Sequence, residues 1–132
     1  MVAVPASTPG ELAIVVGVTD GDTISVSIGG VVEKLRLIGI NTPETGECFA
    51  SESTARLSQL VQGAEVRLEP DVSDRDQYGR LLRYVYVGNL FVNEVLVREG
   101  YAQAYRCEPD TAMASRLDAS EASAKAANLG LW

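Results

Sequence analysis

Residues 20–44 read DGDTISVSIGGVVEKLRLIGINTPE, and the period of that stretch decides the fold. Thr23 to Ile28 alternates strictly between polar and apolar, which predicts a half-buried strand with Ile24, Val26 and Ile28 inward. Gly29-Gly30 is a two-residue hairpin signal, and Val31 to Ile38 returns as a second strand. Upstream, Glu11 to Val18 is a largely apolar run suited to a buried strand, and Asp20-Gly21-Asp22 turns it into Thr23. Three antiparallel strands in a meander follow. Asn41-Thr42-Pro43-Glu44 ends the sheet, because proline cannot donate to a ladder.

Downstream the pattern is mixed. Phe49 to Val61 has helical apolar spacing and Gly63 closes it as a cap. Glu65 to Leu68 and Leu82 to Val87 read as the fourth and fifth strands, with Gly88-Asn89 turning the last. Val92 to Glu99 is a short helix stopped by Gly100, and Ala112 to Ala127 is an alanine-rich helix. Three strands, a helix, two strands and two helices fit a mainly β protein of the α+β class. The specific expectation is a five-stranded OB-type barrel with three helices, one of them inserted between strands three and four.

The chain has 132 residues, enough for one domain over residues 11–132. Met1 to Gly10 contains Pro, Ser and Thr and no charge, and is expected to be a flexible arm. It carries no signal-peptide pattern. A secreted or periplasmic location is the expectation, with an export signal removed ahead of Met1, although an intracellular protein could begin the same way. No apolar run approaches the roughly 20 residues of a membrane span. The net charge is −7 and histidine is absent, so the commonest general base and transition-metal ligand are both missing. Catalysis must therefore use carboxylates, arginines, hydroxyls or a hard metal. The acidic balance also argues against nucleic-acid binding by bulk attraction, though a local basic cleft remains open. Cys48 and Cys107 are the only cysteines. They make either one disulfide or two buried thiols.

The candidate chemistry sits at strand ends and turns: Asp20 and Asp22, Arg36 inside an apolar strand, Asn41, Thr42 and Glu44 after it, and Arg80 at the end of Asp74–Arg80. Singly, each has an ordinary reading. An arginine in an apolar strand snorkels or pairs with an acid, and most Asp-Gly-Asp turns are only turns.

Together, Asp20-Gly21-Asp22-Thr23, Leu35 to Glu44 and Asp76-Gln77-Tyr78-Gly79-Arg80 resemble the staphylococcal-nuclease (thermonuclease) family. Val92 to Gly100 and Asn128-Leu129-Gly130-Leu131-Trp132 extend the resemblance over nearly the whole chain. It implies a calcium-dependent nuclease acting on single-stranded or unwound DNA and RNA with little sequence preference, leaving 3′-phosphate ends. Asp22 and Asn41 would bind Ca2+ through side chains and Thr42 through its carbonyl. Glu44 would activate water, Arg36 and Arg80 would clamp phosphate, and Tyr78 and Tyr105 would contact the nucleotide. Two guanidiniums and a divalent ion suit the charge gathered on a pentacovalent phosphorus. The alternative function is a catalytically inactive nucleic-acid-binding OB domain. Such copies typically lose the arginine or glutamate positions, whereas this chain keeps Asp22, Arg36, Glu44 and Arg80. The protein is expected to be a monomer that does not engage membranes.

Three departures from the family are visible. Asn41 replaces the usual aspartate, Thr45-Gly46-Glu47 shortens the mobile loop after Glu44, and the chain is acidic where well-known members are basic. A bridge between Cys48 and Cys107 would tie down the region of the shortened loop. Ligand charge tunes calcium affinity, so Asn41→Asp should bind Ca2+ more tightly than wild type in a calorimetric titration. Equal affinities would show that the charge at 41 is immaterial.

Overall fold

The computed structural model describes residues 10–132. The arm expected over residues 1–10 lies outside them, apart from Gly10. Strands β1 (Glu11–Asp20), β2 (Thr23–Ile28) and β3 (Val31–Leu37) form the meander. A two-residue β4 (Ile40–Asn41) and helix α1 (Ala50–Val61) come next. Then follow β5 (Glu65–Glu69), β6 (Leu81–Val87), β7 (Leu90–Phe91), α2 (Val92–Arg98), β8 (Gln103–Ala104) and α3 (Ala114–Ala126).

The sheet runs in the order β3-β2-β1-β5-β6-β7, and a further pairing of β3 with β6 closes it. That closing contact is parallel, with Leu35 opposite Leu81 and Leu37 opposite Arg83. It removes the open edges that β3 and β6 would otherwise present. β1 serves two neighbours along its length: Glu11 to Ile14 pair with β5, and Ile14 to Asp20 pair with β2. Register shifts between Val15 and Gly17 and between Val18 and Asp20 bend it between them. The result is the five-stranded OB-type barrel of the α+β class expected from the sequence, built from β1, β2, β3, β5 and β6, with three helices. At the β2–β3 hairpin, Gly29 and Gly30 have φ of 58° and 87°, the positive pair that a type I′ turn demands.

Ile24, Val26, Leu35, Leu37, Val66, Leu68 and Val85 fill the barrel, and Leu57, Leu96 and Leu117 close it from the helices. Two sequence expectations need correction. β1 was expected to be buried, but Leu12, Ile14 and Val16 face outward and are exposed, while Ala13 and Val15 face the core. A barrel buries one face of a strand, so an apolar run there does not imply burial on both. Ile28 was expected inward and is only half-buried, because it lies beside the Gly29-Gly30 turn, at the tip of the hairpin. The short strands β4, β7 and β8 were not foreseen. β4 and β8 pair only with each other, Ile40 opposite Ala104 and Asn41 opposite Gln103.

One buried amide links a helix to the strands that carry the polar turns. Asn93, fully buried at the start of α2, accepts at Oδ1 from Val85 N–H at 3.0 Å. Its Nδ2 donates to the Ile38 carbonyl at 2.7 Å. Ile38 N–H in turn donates to the Arg83 carbonyl at 3.0 Å. The end of β3 is thereby fixed against β6 and α2. Asn93→Leu preserves the shape but strands one buried donor and one buried acceptor. It should cost roughly 2–4 kcal/mol in urea unfolding. A loss below about 1 kcal/mol would mean the backbone groups find other partners.

Candidate active site

The β1–β2 turn brings Asp20 and Asp22 to one end of the barrel. Gly21 between them is tightly enclosed: a Cβ there would lie 2.8 Å from Thr42 Oγ1 and 2.9 Å from Ser53 Cβ. The absence of a side chain is what lets the turn settle against Thr42 and α1. Asp22, 7 % exposed, uses both carboxylate oxygens. Its Oδ2 accepts from Thr42 N–H at 3.0 Å and from Thr42 Oγ1 at 2.9 Å. Its Oδ1 accepts from Thr23 Oγ1 at 3.1 Å. The Arg36 guanidinium lies 3.5 Å from Oδ2. Burial works against ionisation of Asp22, but the Arg36 charge and the hydrogen bonds from Asp20 and Thr42 outweigh it and hold the carboxyl below its ordinary range. Burial and the neighbouring Asp22 carboxyl push Asp20 the other way, upward. Asp20 Oδ1 also accepts the Asp22 N–H at 3.1 Å, which shapes the turn.

Arg36 is aimed by its own strand end. It donates to the Leu37 carbonyl at 2.7 Å and makes a long, 3.4 Å contact with Asn41 Oδ1. Arg80 enters from the start of β6. Asp76 organises that loop: its Oδ1 accepts from Tyr78 N–H at 2.9 Å and Arg80 N–H at 3.0 Å, and its Oδ2 holds Arg80 Nε at 2.7 Å. This leaves Arg80 Nη1 pointing across β3 to within 3.5 Å of Thr23 Oγ1. Arg36, Arg80, Tyr78 and Tyr105 line one cleft of about 270 Å³. Tyr78 is 73 % exposed and Tyr105 50 %, and the Arg80 guanidinium sits 5.4 Å from the Tyr78 ring centre. Two exposed aromatic faces beside two guanidiniums can hold a base and a phosphate together.

The walls of this cleft are fastened to each other by acids to which the sequence reading gave no role. Asp110 Oδ1 accepts from the N–H groups of Val72 and Ser73 at 2.9 and 2.7 Å. Asp71 Oδ2 accepts from Ala112 N–H at 2.9 Å and from the Tyr84 hydroxyl at 2.6 Å. Burial, then Asp71, pushes the Tyr84 phenol well up, so it remains a donor. Each loop thus gives a carboxylate to the backbone of the other. The pairing joins residues about forty positions apart, which no local pattern could disclose. Asp76 was within reach of the sequence, since an Asp two residues before an aromatic and four before an arginine is a turn-forming arrangement.

Glu44 stands apart from the arginines. It is exposed in the loop after Pro43 and does not line the Arg36–Arg80 cleft. Its backbone N–H donates to Glu47 Oε1 at 2.7 Å, and its side chain has no hydrogen-bond partner among the described residues. Thr42 and Asn41 line an adjoining cleft of about 310 Å³ with Pro43, Glu47 and Cys48. Cys48 and Cys107 are both free and exposed. Neither is a buried thiol, and no bridge joins them in this structure: Cys48 lines the Asn41 cleft and Cys107 the tyrosine cleft.

The oxygen donors near Asp22 suit a hard divalent cation. Two carboxyls share one turn with a single guanidinium, and Asn41 and Thr42 lie on the facing segment. Among the described residues no three acids or thiols cluster as a complete ligand set, so water and substrate phosphate would supply the remaining positions of such an ion.

At one end of this closed OB-type barrel two arginines and two tyrosines line one cleft beside the Asp20–Asp22 turn. Residues 34–132 match the family model described as staphylococcal nuclease homologue, and the chain belongs to that family. It is 40 % identical over 121 residues to the SPbeta prophage-derived endonuclease YokF and 39 % identical over 121 residues to the endonuclease YncB, both of Bacillus subtilis (strain 168). Each alignment takes in 86 % of this chain, but only 41 % and 57 % of those proteins, so the chain spans about half their length. It is also 34 % identical over 124 residues to a thermonuclease of Staphylococcus hyicus, covering 89 % of this chain and 73 % of that one.

The Asp76 bonds have a pH signature. Burial opposes its ionisation, but the N–H of Arg80, the Arg80 guanidinium and the Tyr78 N–H outweigh it, and its carboxyl is held below the usual value. The stability it contributes is complete above the unfolded value of about 3.9 and is lost as pH falls through the lower folded one. Thermal melts of wild type should therefore fall more steeply below about pH 4 than those of Asp76→Asn. Parallel curves would show that these bonds do not favour the charged form.

Proposed function

We propose that this domain is a calcium-dependent nuclease that hydrolyses phosphodiester bonds of DNA and RNA and leaves 3′-phosphate ends. The observation that carries the reading is the convergence of Arg36 and Arg80 on one tyrosine-flanked cleft, next to the buried Asp22 turn. Asp22, Asn41 and Thr42, with Asp20 behind them, would hold the ion. When bound, it supplies positive charge facing the phosphate and lowers the pKa of neighbouring water.

The residues divide the remaining work. Arg36 and Arg80 fix the phosphate in bidentate fashion and neutralise charge as the phosphorus becomes five-coordinate. Glu44 stands outside the arginine cleft, so its loop must carry the carboxylate inward for it to take a proton from the attacking water as the water oxygen bonds to phosphorus. The bond from phosphorus to the 5′-oxygen breaks, and that oxygen takes a proton from solvent. Tyr78 and Tyr105 hold the adjacent nucleoside by stacking. Grip on phosphate and on aromatic faces, with no reading of base edges, gives cleavage of both DNA and RNA without sequence preference. No helix among the described residues is long and apolar enough to cross a membrane.

Hydrolysis of single-stranded DNA with Ca2+, with Mg2+ and with chelator tests the reading. Activity is expected with Ca2+ and not with chelator, and Glu44→Gln should lower kcat by about 10²–10⁴ with little change in KM. Retained binding without hydrolysis would instead identify an inactive nucleic-acid-binding domain.

A further inference from the structure

The distribution of cations singles out one side chain. Of the eleven Lys and Arg residues, ten lie within 3.6 Å of a carboxylate. Among the described residues only Lys34 has no acidic partner. Its Nζ donates to Thr19 Oγ1 at 2.9 Å. Lys34 lies on β3 two residues before Arg36, and both point outward while Leu35 and Leu37 between and beyond them are buried. Two residues of strand set them about 7 Å apart on one face.

The partner of Lys34 leads to a second groove. The register places Lys34 opposite Ser25 of β2, so its amine crosses β2 to reach Thr19 near the end of β1. Thr19 lines an open groove of about 540 Å³ between β1 and α1. The other walls are Thr45 and Gly46, which directly follow Glu44, and a face of α1 bearing Ser51, Thr54 and Ser58. This groove shares no residue with the Tyr78–Tyr105 cleft. It begins where the loop carrying Glu44 ends and is rich in hydroxyls that donate to phosphate or sugar oxygens.

We propose that Lys34 and this groove form a subsite for the nucleotide flanking the scissile bond, on the opposite side from the tyrosine cleft, with Lys34 Nζ on its phosphate. The inference rests on the nuclease reading above for which bond is scissile. It also narrows the substrate class. Of the cations that face acids only Arg36 and Arg80 also line the cleft, so with Lys34 the chain grips only two or three phosphates, which fits single strands or frayed ends of a few nucleotides and not long duplex tracts.

Fluorescence anisotropy of a labelled single-stranded hexanucleotide with Ca2+ present, titrated with salt, tests the subsite. Lys34→Gln should reduce the slope of log K against log[salt] by about 0.7 and weaken binding at low salt by about fivefold. Binding of a dinucleotide with one phosphodiester, followed by calorimetry, should be unchanged, and so should both ligands with the control Lys125→Gln. An unaltered hexanucleotide slope, or an equal loss on the dinucleotide, overturns the proposal. The two readings separate cleanly: a Lys34-dependent slope without hydrolysis by wild type keeps the subsite and removes the nuclease, and hydrolysis with an unaltered slope does the reverse.

Discussion

The carboxylate of Asp22 is the point on which the functional end of this molecule depends. Its Oδ2 takes two hydrogen bonds from Thr42, and its backbone carbonyl takes the N–H of Leu37 at 2.9 Å. Oδ2 also faces the Arg36 guanidinium. One residue therefore ties the β1–β2 turn to the end of β3 and to the segment carrying Asn41 and Glu44. A buried carboxylate is tolerable only if its oxygens are satisfied, and here satisfying them assembles the site. Beside it, burial and the Asp22 carboxyl push the Asp20 carboxyl upward.

The other half of the site is held by a different device. Tyr78 and Arg80 belong to a loop with little regular structure, and Tyr105 belongs to another. Neither could keep its aromatic side chain in place by packing alone, since both tyrosines are largely exposed. Asp76 orders the first loop internally, and the crossed carboxylate bonds of Asp71 and Asp110 lock the two loops together. These acids contribute to the charge of −7 that argued against a nucleic-acid partner. Much of that negative charge is engaged in fixing backbone and arginines, which is why bulk charge misleads about the cleft. The reverse also holds: arginine content overstates the surface available to phosphate, because so many guanidiniums already face an acid.

Much of the barrel was legible along the chain. The alternation from Thr23 to Ile28, the Gly29-Gly30 turn and the helical spacing before Gly63 each report a local preference, and each element formed within a residue or two of its expected place. β1 was read as wholly buried because an apolar run cannot say how many of its faces are covered. The strands β4 and β8 were invisible because two residues carry no period. For the site, Asp22, Arg36 and Arg80 were brought to one end of the barrel as their motifs implied. Glu44 was not brought into the arginine cleft, and the two cysteines were neither buried nor joined.

The sequence by itself determined which residues form strands and turns, and it spaced the acids and arginines at the ends of those strands, because period and turn chemistry act over a few residues. Tertiary structure decided what each charge does. Whether an arginine meets an acid or a ligand, whether Asp110 grips a loop, and whether Lys34 remains unpaired depend on contacts between segments tens of residues apart. Those contacts exist only once β3 has closed on β6, and that closure is a property of the barrel and not of any stretch within it.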